Sequence, residues 1–503
     1  MNKPLRKVSI FCLVLVAALM LRANWVQVVK AADYADNPNN NRRVYESYSH
    51  PRGDFLVDGK PITGSEDSDS KKYEYVRTYL NGPMYAPVTG FKSQFYGSSF
   101  LESVDDSILT GDDDRLFVRR VIDTITGKDR RGGNVALTIN GKAQEAAYNS
   151  LVSQNKTGAV AAIDPATGKI LTLVSTPSFD PGKLSTNDKK VQDQTWKALE
   201  QDPAKPSENR AIRTTYAPGS TFKLITAAAA LSSGQYANPD APTNFQSPSR
   251  YPNSNKELID QAGPGKCAGA TLKVALEYSC NTVFAGIGTQ LGDDAVKKQA
   301  EAFGFNDFGK YNYQSPTGVD TKNNMEIPTR VSASLFPSNK DGAATMRASI
   351  GQQDVQATPL QMASVVATIA NNGKMMQPYL VDSLKSQNMD TIEQTSPKQI
   401  SEAVSPTVAG QLQDMMQGVV TEGTCKTAQI PGVKVGGKTG TAQRGVNNKD
   451  NPYAWFVSYG EVDGKKVAVA VVIEDSNADR DDISGCGSAA PTAVAVMKAV
   501  LGK

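Results

Sequence analysis

The chain opens with an apolar run at residues 8–21, preceded by Lys3, Arg6 and Lys7, interrupted by Arg22 and followed by Trp25 at interfacial spacing. The run is shorter than the ~20 residues a bilayer span needs. If Arg22 snorkels, the apolar stretch extends through Val29. A basic flank before an apolar core fits both a cleaved export signal and an uncleaved anchor. Ala31-Ala32 would allow cleavage, but no clear small-x-small site closely follows the run, so the pattern predicts a membrane anchor at 8–29 after a short tail at 1–7. Basic residues ahead of the span place the tail in the cytoplasm and everything after about residue 30 outside.

Residues 30–134 form a separate unit, in which 33 to about 134 is rich in Asp, Asn, Tyr and Gly and carries short extended runs such as 73–80. This predicts a small β-rich module of irregular outline. Around Arg130-Arg131-Gly132-Gly133 the texture changes: 135–139 alternates as a strand and 144–151 has helical periodicity. Two apolar runs at 158–163 and 169–175, joined by Asp164-Pro165-Ala166-Thr167-Gly168, predict a β-hairpin. Residues 221–231, with Phe222, Leu224, Ile225 and four consecutive alanines, predict a helix entered through the Pro218-Gly219 turn and closed by Gly234. Near the end, 454–459 and 467–473 read as a hairpin through Val462-Asp463-Gly464-Lys465, and 489–501 as a final helix. Strands from both ends can share one antiparallel sheet with the intervening helices packed on it, an α/β sandwich over 135–503. There is no internal repeat.

A chain of 503 residues exceeds what one core usually organises. The formal charge of +3 gives no footprint for nucleic acid, and 39% hydrophobic with 21% charged residues excludes wholesale disorder. Cys12 falls in the anchor; Cys267, Cys280, Cys425 and Cys486 form an even set, as an exported protein with two disulfides would carry. Pairing Cys267 with Cys280 closes a short loop and leaves Cys425 with Cys486. Spacing alone does not fix that pairing, and four buried thiols are the other reading.

The sole histidine, His50, lies near the start of the exterior region, which argues against a Ser-His-Asp triad and the usual histidine zinc sites. Acyl chemistry then needs another base, and Lys serves only where burial or nearby positive charge lowers its pKa. Ser220-Thr221-Phe222-Lys223 has the S-x-x-K form, but so do Ser68–Lys71 and Ser153–Lys156. Only Ser220 follows a Pro-Gly turn at the start of a strongly apolar helix, where the positive end of the dipole favours an oxyanion and apolar neighbours surround Lys223. Ser279-Cys280-Asn281 follows a helical stretch at 272–278, and Lys438-Thr439-Gly440-Thr441 precedes the terminal hairpin. S-x-N recurs at Ser153, Ser185 and Ser386 and K-T-G at Lys156; the ordered set of helix-start S-x-x-K, then S-x-N, then K-T-G before the last strands is the specific signal. Residues 432–439 also satisfy the P-loop pattern, yet a P-loop requires a helix beginning at its Lys-Thr, and 441–452 reads as a loop.

On these motifs the chain resembles the penicillin-binding protein and serine β-lactamase superfamily. Residues 158–181, 209–223, 351–372 and 420–443 look like the transpeptidase domain of class B penicillin-binding proteins. Arg52-Gly53, following 37–43, resembles the arginine-glycine signature of their membrane-proximal module, and Tyr85-Ala86-Pro87-Val88-Thr89-Gly90-Phe91 is similar to the actinobacterial penicillin-binding protein A group. The resemblance implies the penicillin-binding transpeptidase fold, an antiparallel sheet flanked by helices, and cross-linking of peptidoglycan stem peptides as donor and acceptor. It implies that Ser220 attacks between two terminal D-alanines, that Lys223 takes its proton, and that Ser279, supported by Lys438, protonates the leaving amine. Asn281 would hold a substrate amide, Thr439, Gly440 and Thr441 would meet the terminal carboxylate, and backbone N–H groups of Ser220 and Thr441 would form the oxyanion hole. A disulfide at Cys280 would pin the S-x-N loop. No cofactor or metal is expected, β-lactams are expected as covalent inhibitors, and a partner such as a polytopic glycan polymerase of the divisome or elongasome would polymerise glycan. A β-lactamase or D,D-carboxypeptidase shares the three motifs but usually lacks a membrane-proximal module; an inactive scaffold would have lost some of these polar groups.

Overall fold

The computed structural model describes residues 3–30, 33–34, 41–117, 121, 125–127, 130–306, 331–339, 341–445, 448–475 and 478–503. The N-terminal run forms a helix, Lys3–Asn24, that continues as a wider turn at Trp25–Val29. It is long and apolar enough to cross a membrane, with an 18-residue window of mean hydropathy 2.0 and none of that window buried, a pattern an anchor and an export signal share.

The module that follows is irregular, as its composition predicts, with short strands at Phe55–Val57, Thr63–Asp67 and Tyr75–Tyr79. Helices at Gly82–Thr89, Phe100–Val104 and Asp106–Thr110 are interleaved with them. The first is buried on nearly every side and contains Pro87, so it leaves no amphipathic period to read. Part of the run 37–43 lies outside the described residues. The Arg52-Gly53 pair has a clear physical basis. Arg52 is buried and donates to Glu102 Oε2 and Asp106 Oδ1, both at 2.7 Å, while Arg77 donates to Glu102 Oε1 at 2.6 Å. Although burial alone would raise it, the pKa of Glu102 is held below the ordinary value by the charges of Arg77 and Arg52. At Gly53 a Cβ would lie 1.8 Å from the Gly133 carbonyl oxygen, so only glycine lets the two backbones cross there.

Strand Asn134–Leu137 pairs in parallel with Phe55–Val57 and antiparallel with Val381–Lys385, so one sheet draws strands from both halves of the chain. The larger sheet is assembled from two segments far apart in the chain, 157–176 and 434–475. Strands β1 (Thr157–Ile163), β2 (Ile170–Thr176), β3 (Lys434–Arg444), β4 (Asp450–Val462) and β5 (Lys465–Asp475) lie antiparallel in the order β3-β4-β5-β1-β2. The β4–β5 turn puts Asp463 at φ 49° and Gly464 at φ 78°, the twist a two-residue hairpin prefers.

Of helices α1 (Gly141–Val152), α2 (Lys223–Ser232), α3 (Asn281–Leu291), α4 (Pro359–Ala370), α5 (Pro406–Thr421) and α6 (Ala490–Leu501), α1, α4, α5 and α6 lie against the sheet, α2 packs on α5 and α3 packs on α2. Alternate residues of β5 enter different cores. Val467, Val469 and Val471 face the core that α6 covers, whereas Ala468, Ala470 and Val472 face the core that α4 covers. Burial on both faces explains why these strands read as continuous apolar runs rather than alternating ones. Residues 441–452, expected as a loop, instead contribute Thr441–Arg444 to β3 and begin β4 at Asp450. The P-loop reading fails all the more firmly: Lys438-Thr439 lies inside a strand, and no helix starts there to hold phosphate.

Candidate active site

The three motifs come from a 3₁₀ turn, a helix junction and an edge strand. Ser220 sits in the turn Gly219–Phe222, which runs directly into α2, whose first residue is Lys223. Ser220 therefore precedes the α-helix by one tight turn, with the i,i+3 relation to Lys223 intact. The turn lies against β3: a Cβ on Gly440 would meet the Pro218 carbonyl oxygen and Thr221 Cγ2, each at 2.9 Å. Trp455, buried on the neighbouring strand, donates from Nε1 to the Ala217 carbonyl at 3.0 Å and ties the approach to Ser220 onto the sheet.

Ser279 links two helices. It follows Leu272–Glu277 in the left-handed region at φ 58°, and Cys280 then stands just before α3, whose first residue is Asn281. A non-glycine residue in that region costs roughly 1–2 kcal/mol, so surrounding contacts must enforce it. They aim the hydroxyl between two lysines: Lys223 Nζ donates to Ser279 Oγ at 3.1 Å and Lys438 Nζ donates to the same oxygen at 2.9 Å.

Both lysines are fully buried. Burial, reinforced by the facing Lys438 and opposed by Asp260, holds the pKa of Lys223 well below its ordinary value. Burial pushes Lys438 down to about 7. Lys223 also donates to Ser279 O at 2.7 Å and Asn281 Oδ1 at 2.8 Å. Those three acceptors match the three protons of an ammonium, and loss of one proton frees a lone pair. Among the described residues no hydrogen bond joins Ser220 Oγ to Lys223. Asn281 is engaged at both ends, its Nδ2 donating to Ile259 O at 3.1 Å.

On β3, Thr439 is half-buried with its Oγ1 3.1 Å from that of Thr424, and Thr441 is exposed. The structure thus brings Lys223, Ser279, Asn281 and Lys438 into one hydrogen-bonded cluster, sets the Ser220 turn against the K-T-G strand, and leaves His50 outside the cluster, ahead of strand Phe55–Val57. Two of the competing motif matches have structural tasks: Lys156 donates to Ser488 O at 2.7 Å, and Ser185 to Lys92 O at 2.6 Å. Sequence reasoning missed Asp260, Thr424 and Trp455, which carry no motif and reach the site only through tertiary contacts. Two disulfides flank the cluster, Cys267–Cys280 beside Ser279 and Cys425–Cys486 at the entry to β3.

Known proteins resemble this chain over its whole length. The family model of the penicillin-binding protein transpeptidase domain matches residues 158–498, and that of the penicillin-binding protein A dimerisation domain matches 52–135. The chain is 41% identical to the peptidoglycan D,D-transpeptidase PbpA of Mycolicibacterium smegmatis, over 100% of this chain and 99% of that protein. It is 40% identical to PbpA of Mycobacterium tuberculosis over the same shares. The ceftriaxone acyl-enzyme structure of M. tuberculosis penicillin-binding protein A superposes with a TM-score of 0.83, at 40% identity, covering 91% of this chain and 100% of that one. The chain belongs to the penicillin-binding protein transpeptidase family, with the class B, PbpA-type members as its relatives.

Proposed function

We propose that the chain is a peptidoglycan D,D-transpeptidase that works through an acyl-enzyme on Ser220. The observation that carries this reading is the Ser279 hydroxyl held between Lys223 and Lys438 beside the Ser220 turn. Neutral Lys223 takes the Ser220 proton as Oγ attacks the carbonyl between the terminal D-alanines of the donor stem peptide. The tetrahedral oxyanion is received by backbone N–H groups of Ser220 and Thr441, a contribution of roughly 2.7–4 kcal/mol per donor in other acyl-transfer enzymes. The C–N bond then breaks, Ser279 passes a proton to the departing D-alanine amine and takes one back from Lys223, which returns to its neutral form, and an ester remains on Ser220. An acceptor amine attacks that ester, forms the new amide, and returns a proton to Ser220. Lys438 with Thr439, Gly440 and Thr441 receives the donor's terminal carboxylate, and Asn281 orients its amide. β-Lactams enter the same sequence and stop at the ester.

The same reading divides the chain into a tail at 1–7, an anchor at 8–29, a non-catalytic module at 30–134 and the catalytic domain at 135–503. It places the protein in the cell membrane with a single crossing and the catalytic domain outside. Partners that polymerise glycan in the divisome or elongasome belong to it as well. The test is labelling by a fluorescent penicillin, with peptide mapping of the adduct. Wild type should label on Ser220 and Ser220→Ala not at all; equal labelling of both defeats the reading. Formation of an amide product from a D-alanyl donor ester and an added D-amino acid separates transfer from hydrolysis.

A further inference from the structure

The S-x-N wall is held by a segment that carries no motif. Helix α3 begins after Cys280, whose side chain makes no capping hydrogen bond. The cap comes instead from Asp260, nearly buried at 9% exposure on the strap after strand Glu257–Leu258. Asp260 Oδ1 accepts from the Thr282 backbone N–H at 3.0 Å, and Oδ2 accepts from Thr282 Oγ1 at 2.6 Å and Ser247 Oγ at 2.7 Å. A carboxylate at a helix N-terminus answers both its open N–H groups and its dipole. On the same strap the Ile259 carbonyl fixes the Asn281 amide, which turns Asn281 Oδ1 toward Lys223. Further along, the Cys267–Cys280 disulfide staples the strap to the residue between Ser279 and Asn281.

We propose that Asp260 is a positioning residue for acylation, capping α3 from a distant segment so that Ser279 and Asn281 hold Lys223 in place, and facing Lys223 with a negative charge. This rests on the Ser220–Lys223 reading above. Two charged groups act on Lys223, Lys438 from β3 and Asp260 from the strap; Ser279 and Asn281 are neutral. Asp260 opposes Lys438, so its loss lets Lys223 give up its proton at lower pH.

The experiment uses the full chain in detergent and measures the second-order rate of acylation by a fluorescent penicillin as a function of pH. Asp260→Asn should move the acid limb of the profile toward lower pH, the direction set by losing a charge that favours protonated Lys223. Thr282→Val keeps the charge and removes a cap contact; it should slow acylation about tenfold with the limb unmoved, as expected for a small misplacement. A uniform loss of rate in Asp260→Asn with no shift overturns the proposal. If Asp260→Asn does not fold, Thr282→Val decides, and its acylation at the wild-type rate overturns the proposal. Failure of the wild type to acylate at Ser220 would instead strike the underlying reading.

Discussion

Gly440→Ala tests whether the close approach between the Ser220 turn and β3 matters for acylation. The added methyl would lie 2.9 Å from the Pro218 carbonyl oxygen, 2.9 Å from Thr221 Cγ2 and 3.1 Å from Trp455 Cβ. Carbon atoms pack best at about 3.5–4.0 Å, so roughly 0.5 Å of separation must be found. Trp455 cannot easily supply it, being fully buried and hydrogen-bonded to Ala217 O at 3.0 Å. The Ser220 turn must move. A 1 Å misplacement costs about a hundredfold in rate, so half of that predicts about a tenfold slower acylation, or ~1.4 kcal/mol. Overpacking should also lower stability by about 1–3 kcal/mol. Gly410, on α5 with no atom within 4 Å of a built Cβ, is the control. Gly410→Ala should label at the wild-type rate and gain about 0.5–1 kcal/mol of stability. The assay is stopped-time fluorescent penicillin labelling, paired with urea unfolding. Gly440→Ala labelling within twofold of wild type would refute the reasoning, because the contact would then be absorbed without moving Ser220.

Three further outcomes are expected. The disulfides span 13 and 61 residues, so chain entropy ranks their removal, by paired Cys→Ser changes, at about 2.9 kcal/mol for Cys267–Cys280 and about 4.3 kcal/mol for Cys425–Cys486; urea midpoints in the opposite order would contradict this. Lys438 titrates near 7 when folded against an ordinary 10.5, so the unfolded chain binds the extra proton between those values and stability should rise with pH from about 7 toward 9. Lys438→Met should flatten that slope in unfolding curves taken at both ends, and an unchanged slope would show that Lys438 is not the source. Arg52→Ala leaves Glu102 buried without one of its two arginines and should cost about 3–5 kcal/mol, with Arg52→Lys recovering only part because it cannot reproduce the forked contacts to Glu102 and Asp106. Unaltered denaturation of Arg52→Ala would count against the network's role.

What the sequence made legible were features whose physics is local. The β1–β2 and β4–β5 hairpins announce themselves by apolar runs around turn residues, and α2 by its alanines and the Pro-Gly entry. The short helix Gly82–Thr89 does not, because burial on nearly every side removes the periodicity that marks a surface helix. Of the candidate site, the ordered motifs pointed to Ser220, Lys223, Ser279, Asn281 and Lys438, of which the last four meet in one hydrogen-bonded cluster, and the near absence of histidine pointed to lysine as base. The motifs were silent on why these residues stay where they are.

That silence has one physical cause. Each motif is too short to hold its own geometry: Ser279 adopts a left-handed conformation that a serine does not choose unaided, α3 lacks a cap from its own N-cap residue, and the Ser220 turn has to rest against a neighbouring strand. The stabilising partners lie far off in the chain, with Asp260 22 residues before Thr282 and Trp455 238 residues after Ala217. Such contacts obey no fixed spacing, so no pattern in the sequence reports them. They have a consequence for reactivity nonetheless. Two lysines share one serine hydroxyl at least cost when one of them has lost its proton, and a buried cleft whose walls do not relax around the cations favours that loss. The residues without motifs supply that rigidity, and changes to them should alter acylation while leaving every motif residue in the chain.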